Sequence, residues 1–155
     1  MIKYNKIIFV CNSDTCRGQL AASITRDIGR GFLEQNFIEI ESRGIIVLFP
    51  EPMNPKTVAI AASKDLDIDG YVSKALTPQD FGMNTLVLTM TESIKKKVYE
   101  DFKEALNVFG LKEFVGEDGD VEAAHGGELV DYGELFRNIE RLVNKLIDKL
   151  STMQE

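Results

Sequence analysis

Apolar residues fall in two kinds of run along this chain. Short unbroken stretches bounded by polar residues predict buried strands: Ile7–Val10, Phe37–Ser42, Thr85–Met90 and Asn107–Leu111. Between them, apolar positions recur at helical spacing. Leu20, Ala21, Ile24 and Ile28 predict a helix beginning near Arg17. Asn54-Pro55 reads as an N-cap followed by a first-turn proline, opening a helix through Val58 and Ala62. Thr77-Pro78-Gln79-Asp80 starts a shorter helix on the same logic, and Thr91 caps one carrying Ile94, Val98 and Phe102. A final stripe runs through Leu135, Ile139, Leu142, Val143, Leu146 and Leu150. Strands alternating with helices predict an α/β fold in three layers, with a four-stranded parallel sheet between helices. Two glycine-bearing loops, Ser42–Asn54 and Gly116–Gly127, interrupt the alternation. Ligands of such sheets bind beyond the carboxyl ends of the strands, where both loops could reach.

Composition narrows this picture. With 155 residues, 44% hydrophobic and 28% charged, the chain is expected to form a single domain (1–155) with an ordinary core. A formal charge of −7 argues against nucleic acid as a partner. No apolar run approaches the ~20 residues of a membrane span, and no leader precedes the first strand, so no membrane is expected and a cytoplasmic location is. Two cysteines fit a reducing compartment. One histidine and a lone C-x4-C pair make a zinc site a poor fit, so neither a metal nor a cofactor is expected. The acidic run in Gly116–Glu122 lacks the ligand spacing of a calcium loop. The oligomeric state is left open.

Chemistry concentrates after the first strand. Cys11-Asn12-Ser13-Asp14-Thr15-Cys16-Arg17 places a thiol and a guanidinium six positions apart, between a buried strand and a helix start. Backbone N–H groups of such a turn and the helix terminus attract an oxyanion. Arg17 can hold two phosphate oxygens, and the same surroundings favour a thiolate at Cys11. Asn12, Ser13, Asp14, Thr15, Cys16, Arg17 and Gly18 are therefore candidates for a phosphate-binding loop. As a bare motif, C-x5-R is only moderately specific. Cys11 as a merely buried small residue, Cys16 as an inert core thiol and Asp14 as an ordinary turn residue are readings that remain beside it.

Several stretches in order carry a resemblance. They are Ile8-Phe9-Val10-Cys11 with Thr15-Cys16-Arg17, then Ser42-Arg43-Gly44, Glu51-Pro52-Met53-Asn54-Pro55 and Leu76-Thr77-Pro78-Gln79-Asp80-Phe81. Val87-Leu88-Thr89-Met90-Thr91, Gly119-Asp120-Val121 and Gly126-Gly127 follow. Over nearly its full length the chain resembles the low-molecular-weight protein tyrosine phosphatases. The resemblance implies Cys11 as a nucleophile that forms a phosphocysteine and Arg17 as the phosphate clamp. It implies Cys16 as a thiol able to form a reversible protective disulfide with Cys11. It also implies Ser42 as a prop of the phosphate loop. Thr15 and the stretch Asn107–Val115 look like the bacterial arginine-phosphatase branch. Phosphotyrosine or phosphoarginine on proteins, or small phosphate esters, are the implied substrates.

The departures matter as much. The family loop reads Cys-x-Gly-Asn-x-Cys-Arg-Ser-Pro, whereas this chain has Ser13, Asp14, Gly18 and Gln19 at the altered positions. Where the family places the general acid in Asp-Pro-aromatic-Gly-Gly, this chain has Ala123-Ala124-His125-Gly126-Gly127. His125 and Glu122 are the candidates to replace that acid, with ordinary loop residues as the alternative for both. Leu48 and Phe49 either line the crevice or cover the core. The expected function is a phosphatase of reduced activity, and the alternative is an impaired pseudophosphatase that binds phosphate or phosphoproteins. A thioredoxin-coupled arsenate reductase would need further cysteines after Cys16, and a sugar-transport phosphocarrier fits poorly with Arg17.

Overall fold

The computed structural model describes residues 3–124 and 127–153. Its strands are β1 (Lys6–Cys11), β2 (Glu39–Gly44), β3 (Thr85–Thr89) and β4 (Val108–Gly110). They form one parallel sheet in the order β2-β1-β3-β4. The central strands β1 and β3 have neighbours on both sides, and Ile7 to Val10 and Leu86 to Leu88 are fully buried. That explains why both read as unbroken apolar runs. The edge strand β2 alternates instead, burying Ile40, Ser42 and Gly44.

The described residues form these helices: α1 (Arg17–Ile28), α2 (Arg30–Gln35), α3 (Pro55–Ser63) and α4 (Glu92–Asp101) between strands, then α5 (Leu111–Phe114) and α6 (Leu129–Met153) after β4. The step from β1 to β2 runs opposite to that from β3 to β4. Right-handed crossovers therefore place α1 and α4 on opposite faces of the sheet. α6 packs on α1 and α3, which completes the three layers. Its stripe from Leu135 to Leu150 is buried as the spacing predicts. Each such side chain contributes about 1.5–3 kcal/mol on leaving water.

Several local expectations hold. Asn54 Oδ1 accepts from the backbone N–H of Lys56 and Thr57 and caps α3. Thr91 accepts from Ile94 N and caps α4. Thr77–Asp80 closes a capping box on a single 3₁₀ turn. The second strand is displaced: it begins at Glu39, not Phe37. Phe37 has a left-handed backbone (φ 55°) and is 84% exposed. Its aromatic ring reads as strand, yet it terminates the turn that follows α2. The strand order reverses around β1, which sets the Cys11 end of that strand at the switch point of the sheet.

Candidate active site

Five residues separate the end of β1 from the start of α1, and they are folded into a bowl. Asp14 makes the reversal possible with a left-handed backbone (φ 60°). The carbonyls on the outside of the bowl are tied to neighbouring segments. Cys11 O accepts from Ile45 N at 3.1 Å, Asn12 O from Ile46 N at 2.8 Å and Thr15 O from Asn54 N at 3.0 Å. Inside, the N–H groups of Gly18 and Asp14 are directed at the Cys11 sulfur. Burial pushes the Cys11 thiol above its ordinary range, and the Asp14 carboxylate adds to the shift. The Gly18 N–H, Arg17 and the Asp14 N–H pull it back. Gly18 lies against the sulfur: a Cβ there would stand 3.2 Å from Cys11 Sγ. No side chain caps α1, and the Gly18 N–H in its first turn faces the Cys11 sulfur.

Above the sulfur is a cavity of about 190 Å³. Cys11, Asn12, Ser13, Cys16 and Arg17 form its floor and one wall, and Ala123, Ala124 and Tyr132 form the other. That volume holds a phosphoryl group rather than a whole ligand. Arg17 Nη1 donates to Val121 O at 2.9 Å, which links the floor to the opposite wall. Val121 is itself anchored at the sheet, its N–H donating to Met90 O at 2.7 Å. Cys16 Sγ accepts from Thr57 Oγ1 at 3.0 Å; burial pushes this thiol up, against the pull of Thr57 and Arg17. Both cysteines are free thiols. Ser13 and Thr15 pair through their hydroxyls at 2.8 Å. Asn54 Nδ2 donates to Tyr132 Oη at 3.2 Å. Because Asn54 Oδ1 is already fixed by its helix cap, the phenolic O–H remains free to point elsewhere.

Beneath the bowl runs a polar layer. Asp14 is fully buried. Its Oδ2 lies 2.5 Å from the Tyr71 hydroxyl oxygen and accepts from Lys74 N at 3.0 Å. Tyr71 Oη lies 2.9 Å from Ser42 Oγ, which donates to Gln19 Oε1 at 2.8 Å. Burial raises both the Asp14 carboxyl and the Tyr71 phenol. The bowl rests on Gly44, where a Cβ would come within 2.9 Å of Asn12 O and of the Ser13 carbonyl carbon.

The fold that carries this bowl is shared with proteins of known activity. Residues 6–155 match the family described as low molecular weight phosphotyrosine protein phosphatase. The chain belongs to that family. Among related members of this phosphatase family, the low molecular weight protein-tyrosine-phosphatase PtpB of Staphylococcus haemolyticus is 28% identical over 91% of this chain and 96% of its own. The protein-arginine-phosphatase of Geobacillus stearothermophilus is 29% identical over 96% and 98%. The solved structure of YwlE arginine phosphatase from the same organism superposes with a TM-score of 0.85 at 28% identity, covering 96% of this chain and 94% of that one. A cysteine-to-serine form of YwlE arginine phosphatase with a phosphorylated active-site serine gives 0.83 at 29% identity, covering 94% and 95%.

Of the candidate loop, Cys11, Asn12, Ser13, Cys16 and Arg17 line one cavity, while Asp14, Thr15 and Gly18 lie outside its lining. Ser42 stands against that loop: its hydroxyl pairs with Tyr71 and Gln19 and also bears on the Asp14 carboxyl. His125 lies outside the described residues. Glu122 is exposed on the loop that carries Ala123. Leu48 and Phe49 are 89% and 64% exposed, so neither covers the core. Sequence reasoning missed Tyr71, Lys74 and Tyr132, which stand 57 or more positions from Asp14 and belong to no motif. Among the described residues, no three His, Cys, Asp or Glu side chains gather as around a metal ion, and no helix is long and apolar enough to cross a membrane.

Proposed function

We propose that this protein is a cysteine-dependent phosphatase that releases phosphate from phosphorylated protein side chains through a phosphocysteine. One observation carries the reading: the Cys11 sulfur lies at the floor of a phosphoryl-sized cavity, with two backbone N–H groups directed at it and Arg17 in the wall. In the first step a sulfur lone pair forms the S–P bond. The Cys11 thiol gives up its proton to water, the P–O or P–N bond breaks, and its electron pair leaves on the ester oxygen or guanidino nitrogen, which takes a proton from water. In the second step water forms a P–O bond and loses a proton, and the S–P pair returns to Cys11. Arg17 and the N–H groups stabilise the transferring phosphoryl group in both steps.

Phosphoarginine is the favoured substrate class, on Thr15 and on the likeness to the arginine phosphatases; phosphotyrosine is the other. Cys16 serves as the thiol that protects Cys11 by a reversible disulfide, which suits a cytoplasmic setting. Ala123 and Ala124 carry no proton, so leaving-group protonation is the weak point of the site. A general acid supplies roughly 10²–10⁴-fold. Rates should therefore fall steeply as the leaving group becomes more basic. The second reading is a phosphate-binding module without turnover, favoured by those same alanines.

Phosphate release from aryl phosphates and from phosphoarginine, wild type against Cys11→Ser, tests the proposal, together with acid trapping of a phosphocysteine. Release by the wild type alone supports the enzyme. Equal traces from both proteins would leave only the binding module.

A further inference from the structure

We infer that Asp14 is a neutral carboxylic acid in the working protein, and that its ionisation weakens anion binding in the bowl around Cys11. The inference rests on the phosphate-site reading above and deepens it by naming a positioning residue. It starts from a proton count. Three close oxygen pairs run in series: Asp14 Oδ2 to Tyr71 Oη at 2.5 Å, Tyr71 Oη to Ser42 Oγ at 2.9 Å, and Ser42 Oγ to Gln19 Oε1 at 2.8 Å. Each link needs one hydrogen. In the amide orientation that presents Gln19 Oε1 to Ser42, the two hydroxyls supply two, while a carboxylate and an amide oxygen supply none. With Asp14 ionised, one pair of oxygens faces with no hydrogen between. A proton on Asp14 completes the series, each group donating to the next from Asp14 through Tyr71 and Ser42 to Gln19.

Two further observations agree. Asp14 is fully buried, and its Oδ1 finds no partner among the described residues. An ionised carboxylate with an unsatisfied buried oxygen is costly, and a neutral acid much less so. The charged groups around it have other engagements. Arg43 on β2 pairs with Glu41 at 2.7 Å and Asp80 at 3.3 Å. Arg17 on α1 donates to Val121 O. Lys74 offers Asp14 its backbone N–H while its Nζ stands 5.8 Å from the centre of the Tyr71 ring. Cys11 at the end of β1 is the remaining titratable neighbour, and the Asp14 charge opposes its ionisation. Ionised Asp14 thus sets a negative charge in the same bowl as the thiolate and the bound dianion.

Sulfate is the probe, because it stays a dianion from pH 5 to 8. Calorimetry in a Cys11→Ser background removes thiol titration, and adding Asp14→Asn isolates the carboxyl from every other group, His125 included. The expected result is that sulfate affinity of Cys11→Ser falls about tenfold or more between pH 5 and 8, the scale of one added like charge nearby. In the double variant most of that fall should disappear, with tighter binding at pH 8. Equal pH slopes in the two proteins overturn the inference. Carbon-13 labelling of aspartate in the unmutated chain gives a direct second readout. An Asp14 carboxyl signal at the protonated position at pH 6 supports the inference, and one at the ionised position at that pH sinks it. Neither readout depends on turnover, so a protein that binds sulfate in this way yet releases no phosphate would overturn only the enzymatic reading.

Discussion

The two walls of the cavity are built to different standards. The wall from Cys11 to Gly18 is over-determined: each exterior carbonyl named above has a partner, the reversal at Asp14 is buried, and two N–H groups converge on the sulfur. The facing wall presents methyl groups from Ala123 and Ala124 and the phenol of Tyr132. On the proposed reading, anion binding and nucleophilic attack depend on the first wall, and departure of the leaving group depends on the second. The difference teaches that the two halves of a displacement site are built by separate segments and can vary independently.

Removing the better wall should have the largest effect. Cys11→Ser is expected to reduce phosphate release to background, at least about 10⁴-fold, and Arg17→Ala about 10²–10³-fold, both read as kcat/KM on an aryl phosphate. Repairing the poorer wall comes next. Ala123→Asp should raise kcat/KM on phenyl phosphate by roughly 10²-fold while changing a dinitrophenyl ester little. An equal gain on both esters would mean that the new carboxylate does something other than protonate the leaving group.

A smaller contrast lies under the bowl. Because burial raises the Asp14 carboxyl above its unfolded value, native protein holds the proton more tightly. The associated stability is complete below the ordinary carboxylate range and is lost as pH rises through the raised value. Asp14→Asn should therefore be more stable than wild type by about 1 kcal/mol at pH 8. The gap should close near pH 4, as followed by urea unfolding. The smallest effect belongs to Glu117, which Arg141 and Lys145 on α6 hold down to about 2. Its contribution is present above the ordinary glutamate range and fades as pH falls toward 2. As an exposed pair screened by salt, it should leave the thermal midpoint of Glu117→Gln unchanged at physiological ionic strength.

The same contrast separates what the chain reveals from what it hides. The nucleophile wall is contiguous in sequence: one apolar run, one polar turn and one amphipathic helix, so Cys11 and Arg17 were legible from spacing, while Gly18 stood out only through the family resemblance. Asn54 and Thr91 were legible as caps because capping is a local interaction. The layer below was not. Tyr71 reaches Asp14 across 57 positions, and nothing in its own neighbourhood signals a buried phenol. α2 has only six residues, too few to display a period, and Phe37 reads as strand because propensity carries no information about its left-handed backbone. Tyr132 lies a turn ahead of the regular stripe of α6, so the helix pattern gave no reason to send it to the cavity.

Gly44 bears on how this pocket could be remodelled. Since even a methyl group at that position would collide with main-chain atoms of residues 12 and 13, the depth of the bowl is set by backbone resting on backbone. Side-chain exchange cannot deepen or raise that floor without dislodging the sulfur. Any drift toward larger or differently shaped phosphorylated compounds must therefore come from the mouth, where Ala123 and Ala124 leave space to be filled.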